Sequence, residues 1–146
     1  MNGELRWVGP FTLLELFERN RGLTYEKCHS NGVYLVSRLG WEGTPTRDCQ
    51  PLYVGSTTGT SKRFWTRFGD TIIDALGFFN PDGPGHSSGG KSLNAYCMEH
   101  TLKAWEELYF AWVADCDCHR CLEASLVRVL DPVLNCNAPP RCSVHN

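Results

Sequence analysis

Two short β-rich runs set the frame for this chain: residues 32–38 (GVYLVSR) and 51–55 (PLYVG). Their β-branched and aromatic residues suit a pleated, half-buried surface. A connection rich in Gly, Pro and Thr, residues 39–50, joins them, so the pair reads as an antiparallel hairpin with a long loop. Residues 61–76 (SKRFWTRFGDTIIDAL) then show helical spacing, with Phe64, Phe68, Ile72 and Leu76 along one face and Lys62, Arg63 and Arg67 elsewhere on the same element. Residues 77–90 are rich in Gly, Pro, Asn and Ser and read as a loop. Residues 93–103 look helical, and 107–114 (ELYFAWVA) read as a third strand. The last helix covers about 118–130. Its stripe of Leu122, Leu126 and Val129 has Glu123 beside it, and Asp131-Pro132 ends it. Before the hairpin, Phe11, Leu13, Leu14, Leu16 and Phe17 after Pro10 read as a short helix that packs on the core and stops near Arg21-Gly22. The expected fold class is α/β (α+β): a small three-stranded mixed or antiparallel sheet flanked by helices.

A chain of 146 residues fits one domain with a real core. Its 42% hydrophobic and 21% charged residues are ordinary for a globular protein and exclude wholesale disorder. No run approaches the roughly 18 apolar residues of a membrane span, and residues 1–20 mix Glu4, Arg6, Glu15, Glu18 and Arg19 into their apolar residues, unlike a secretion signal. A cytoplasmic, intracellular protein is therefore expected, with its eight cysteines as thiols. Cys116, Cys118 and Cys121, with His119 between them and Cys136 and Cys142 downstream, admit two readings: a structural Zn²⁺ site or free buried thiols. A net charge of −2 argues against indiscriminate polyanion binding but leaves room for a basic face.

Gly32-Val33-Tyr34 and Tyr53-Val54-Gly55 close the two strands of the hairpin, and this pair resembles the two tripeptides that name the GIY-YIG nuclease family. Arg63, ten residues after Tyr53, stands at the offset of that family's arginine. Glu123, on a late helix followed by Pro132 and Asn135, resembles its glutamate helix and closing asparagine. The ordered similarity spans about two thirds of the chain. The resemblance implies an N-terminal helical extension at 1–31, a nuclease domain at 32–137 and a C-terminal tail at 138–146. It also implies a DNA endonuclease in which Tyr34 takes a proton from the attacking water, Tyr53 positions water and phosphate, and Arg63 meets transition-state charge. Glu123 would hold one Mg²⁺ or Mn²⁺, and Asn135 would orient groups around Glu123. The chain departs from compact members in having eighteen residues between its two tyrosines. It also has Arg67 where many members carry a histidine, a place that His86 would fill in some restriction-type members. The long loops and the extension favour such a restriction-like member.

The chemistry asks for these residue types. Phosphodiester hydrolysis builds negative charge and expels an alkoxide, which call for a cation and a Lewis acid. Mg²⁺ or Mn²⁺ is commonly held by one or two carboxylates, with water and phosphate oxygens completing the shell. A phenol with pKa near 10 is a poor base at neutral pH, so the role assigned to Tyr34 requires positive charge nearby. Lys62, Arg67 and Lys91 are the expected nucleic-acid contacts. DNA, single- or double-stranded, is the expected partner ahead of RNA, with a homodimer if both strands of a duplex are cut.

Two rival readings stand beside this one. A catalytically inert nucleic-acid-binding module would keep the fold without the reaction. Residues 85–92 (GHSSGGKS) also fit the phosphate-loop pattern GxxxxGK[ST]. The preceding NPDGP is no buried strand, however, and the residues that follow are too few for a parallel nucleotide-binding sheet. The favoured reading of this segment is a loop beside the substrate groove, with backbone NH groups or Lys91 meeting a phosphate.

Overall fold

The computed structural model describes residues 4–19, 31–56, 64–80, 82–83, 87–114 and 116–135. Along the chain run β1 (Val8–Phe11), α1 (Leu13–Arg19), β2 (Gly32–Ser37), β3 (Pro51–Ser56), α2 (Phe64–Ala75), α3 (Ser88–Glu99), α4 (Ala104–Glu107), β4 (Tyr109–Ala114) and α5 (His119–Leu130). The strands form one sheet in the order β1-β4-β2-β3, and every pairing is antiparallel. The expected hairpin is present, with Tyr34 opposite Gly55 and Val36 opposite Tyr53. Its long loop is tied down: a 3-10 turn at Arg47–Cys49 buries Cys49, and Arg47 Nε donates to the Val129 carbonyl on α5 at 2.9 Å.

The sheet has four strands rather than three. β1 pairs with β4, and Leu13, which follows it, is 2% exposed in the main core. The N-terminal segment is thus part of the sheet as well as a helix packed on it. Val8–Phe11 contains a Gly-Pro pair that hides its strand character, because Pro cannot donate to a ladder and is tolerated at a sheet edge.

Alternation along β2 divides two cores. Tyr34 and Val36 face α2 and α3, where they join Phe64, Phe68, Leu93, Phe110 and Trp112. Val33 and Leu35, with Val54 of β3, face Leu126, Val127 and Leu130 of α5. Each fully buried apolar side chain contributes roughly 1.5–3 kcal/mol, and Phe64 and Phe68, at 0% and 2% exposure, hold α2 to the sheet. Val129 was expected in the α5 stripe but is 62% exposed, because the helix rests on the side bearing Leu126, Val127 and Leu130. Asp131, with φ 48°, gives its N–H to the Val127 carbonyl and ends α5, and Pro132 prevents its continuation. Beyond that stop, Val133 N and Leu134 N bond the carbonyls of Pro51 and Leu52, laying the chain along the outer edge of β3.

α3 begins at Ser88, inside the segment expected to be a loop, and ends at Glu99. Ser87 caps it by accepting the Gly90 N–H at 3.2 Å. Gly89 and Gly90 lie buried in its first turn, where they let α3 approach β3 and α2 closely, a packing role that composition alone does not reveal. No helix among the described residues is long and apolar enough to cross a membrane.

Candidate active site

Tyr34 and Tyr53 come from neighbouring strands onto one face, with ring centroids 6.0 Å apart. Two glycines make room for them. A Cβ on Gly55 would overlap Tyr34 at Cζ and Oη, and a Cβ on Gly89 would overlap the Tyr53 ring. The glycine of the second tripeptide therefore exists to admit the tyrosine of the first.

Tyr34 is 3% exposed and packs against Phe68 and Phe64 at 4.9 and 6.3 Å between centroids. Its hydroxyl lies 2.7 Å from Thr71 Oγ1. Thr71 Oγ1 has one hydrogen and donates it to the Arg67 carbonyl at 3.1 Å, which makes the Tyr34 O–H the donor in their shared bond. Ser87 Oγ sits 3.1 Å from the same threonine oxygen, and the Ser87 amide donates to Asp74 Oδ2 at 2.6 Å. This chain of polar groups links Tyr34 to the start of α3. Burial, then the charge of Tyr53, pushes the Tyr34 phenol well above its ordinary range, against weaker opposing effects of Thr71 and Arg67. Among the described residues it is a neutral phenol at neutral pH, with Arg67 the one cation that favours its ionised form.

Tyr53 is only half buried. Burial and then Glu123 raise its pKa, while hydrogen bonding with Tyr34 and the charge of Arg67 act in the opposite sense. Of the two tyrosines it is the better placed to meet a substrate.

Glu123 arrives from the other side of the sheet, on α5. β3 is the edge strand, so groups from both faces meet at its rim, where Ser56 Oγ donates to Glu123 Oε2 at 2.5 Å. Burial raises the Glu123 carboxyl above the ordinary carboxylate value, opposed by the Ser56 bond and by the charges of His119 and Arg120 one turn earlier. His119 Nε2 is buried and has no hydrogen-bond partner among the described residues.

The other expected site residues fall differently. Asn135 spends both ends of its amide on one residue: Oδ1 accepts from Val54 N, and Nδ2 donates to Val54 O, each at 2.9 Å. Its visible work is to pin the chain after α5 to the strand carrying Tyr53, rather than to orient Glu123. Lys91 donates to the Gly83 carbonyl at 3.0 Å and lies over the Phe79 ring at 5.3 Å, closing the connection before α3. Arg67 is exposed on α2, and its charge is felt at both tyrosines. Arg63, Lys62 and His86 lie outside the described residues, as do Cys136 and Cys142. Ser56, Thr71 and Ser87 escaped sequence reasoning, since a hydroxyl in a strand, helix or loop carries no positional signal of its own.

For a divalent cation, the described donors are the Glu123 carboxylate and the Ser56 hydroxyl, both hard oxygens that suit Mg²⁺ or Mn²⁺. No group of three or more His, Cys, Asp or Glu among the described residues is arranged to hold a metal. The donors thus fit only a site completed by water and substrate oxygens. No family model, curated protein or solved structure matches the chain.

Proposed function

We propose that the chain is a metal-dependent endonuclease of the GIY-YIG type, hydrolysing phosphodiester bonds in DNA. The observation that carries this reading is the meeting at the β3 rim. The charge of Glu123, from one face, is felt at Tyr53 on the other, and Ser56 holds the carboxylate. A phosphate placed there would have Tyr53 O–H as a donor and Arg67 as a nearby cation, which serves a reaction whose transition state gains negative charge. Tyr34 supports Tyr53 from behind as a neutral, fixed phenol. A divalent cation on Glu123 would supply the Lewis acid for the leaving alkoxide. Arg63 keeps the role that the resemblance implies. An intracellular setting accompanies this reading, because the buried thiols Cys49 and Cys97 are not in disulfides.

One observation favours a second reading. Tyr34 is 3% exposed with its hydroxyl bonded inside the fold, as befits a structural tyrosine in an inert nucleic-acid-binding module. Labelled single- and double-stranded DNA and RNA, incubated with Mg²⁺, Mn²⁺ or EDTA, separate the two. The nuclease requires metal-dependent cleavage that disappears in Glu123→Ala and Arg63→Ala. Retained DNA binding without cleavage by the wild type, across those metals, selects the inert module.

A further inference from the structure

The first turn of α5 carries a pair of thiols that the hydrolytic reading does not use. Cys118 is the N-cap of α5, with extended backbone (φ −143°, ψ 97°), and its sulfur accepts the Cys121 N–H at 3.3 Å. This is the geometry in which the side chain of a cap folds over the third residue of a helix and that residue reaches back toward it. In a capping box the two positions hold Ser or Thr and Glu or Gln. Here both hold cysteine, and Cys118 Sγ and Cys121 Sγ lie 2.9 Å apart. Both side chains are half buried, so small molecules can reach them.

That separation distinguishes two chemistries. Two thiolates sharing a tetrahedral zinc ion at Zn–S bonds of about 2.3 Å stand roughly 3.7 Å from each other. Cys118 and Cys121 are closer than that. Disulfide formation needs only a further approach of two sulfurs whose backbone is already held by the cap.

We propose that Cys118 and Cys121 form a redox-active dithiol that exchanges with small-molecule disulfides of the glutathione type. In the forward direction one thiolate attacks a sulfur of the oxidised disulfide, forms a mixed disulfide and expels one small thiolate. The second cysteine, after losing its proton to water, attacks the protein-side sulfur and expels the other small thiolate. The balance is protein dithiol plus one small disulfide giving protein disulfide plus two small thiols, a two-electron transfer. Closure keeps the α5 cap in place, since the two residues already occupy its N-cap and third positions.

The test equilibrates the purified full chain in buffers of varied reduced and oxidised glutathione, quenches by acid, alkylates remaining thiols and maps the linkages by peptide mass. The expected result is a peptide two hydrogens lighter, joining Cys118 to Cys121. Its oxidised-to-reduced ratio should change about tenfold for each 30 mV of buffer potential and return on reduction. Cys121→Ser should abolish the internal link and accumulate a glutathione adduct on Cys118. The wild-type measurement needs no variant, so a folding defect in the serine protein leaves the test intact. Three results overturn the proposal: both cysteines alkylated across the whole range, either one linked instead to another cysteine, or co-purified zinc that must be chelated before the pair reacts.

Discussion

The two sides of β3 show the same physical pressure met in opposite ways. On the α2–α3 side, Tyr34 is sealed among aromatic rings with its hydroxyl donating to Thr71, and burial keeps it neutral. On the α5 side, burial also disfavours the ionised form of Glu123, but that carboxylate stands at the rim with a serine hydroxyl and the charges of His119 and Arg120 as support. A neutral phenol inside a packed cluster is satisfied as it stands, whereas a half-buried carboxylate gains from a cation. The tyrosine side is therefore a preorganised wall, and the glutamate side is the half that a metal or substrate would complete.

Four perturbations break or sharpen this contrast. The largest effect is expected for Glu123→Ala, which removes the carboxylate at the β3 rim. Loss of groups that merely support a metal ligand costs about 10–100-fold, so loss of the ligand itself should reduce metal-dependent cleavage by at least about a hundredfold in a gel assay, with thermal unfolding little changed. Retained cleavage would remove Glu123 from the reaction. Next comes Gly55→Ala on the opposite side, where the new methyl meets the Tyr34 ring. Overpacking of this kind costs roughly 1–3 kcal/mol, to be read from urea unfolding, and an unchanged midpoint would show that the tyrosine wall yields.

Thr71→Val should have a smaller effect. It leaves the buried Tyr34 hydroxyl without its acceptor at a cost of about 1 kcal/mol, and Thr71→Ser should restore most of the stability. Equal losses in both variants would place the effect in packing rather than in the hydroxyl. The smallest change belongs to Glu123→Gln and has a definite sign. Because the folded carboxyl has a raised pKa, the wild type gives up stability as pH rises from the unfolded Glu value of about 4.3 through the folded one. The glutamine variant should therefore melt above the wild type at pH 8, and the difference should close by about pH 4. A difference that persisted at low pH would mean that burial of charge is not its cause.

Much of this arrangement was legible in the residues. The hairpin, the helix after it, the strand near residue 109 and the final helix all announce themselves through period and composition, because half-buried surfaces force alternation in strands and three-to-four spacing in helices. The first strand was hidden by Gly9-Pro10, and the start of α3 by glycines that composition assigns to a loop. Those glycines serve contacts with Tyr53, Thr71 and Asp74, which no local window contains. Asn135 and Lys91 show the same limit: a polar side chain near a motif is readable as a site residue, yet its partners, Val54 and Gly83, are set by how the chain returns.

By itself the sequence determined the hairpin, the helix after it, the strand near residue 109 and the final helix, and which tyrosines and carboxylate are available, because those follow from local period and side-chain chemistry. Only the tertiary structure decided that Tyr34 is sealed and Tyr53 half open, that Glu123 reaches the rim of β3 from the opposite face, and that Ser56 and Thr71 are their partners. Burial and charge proximity depend on contacts between residues far apart in the chain, and those contacts set protonation and reach.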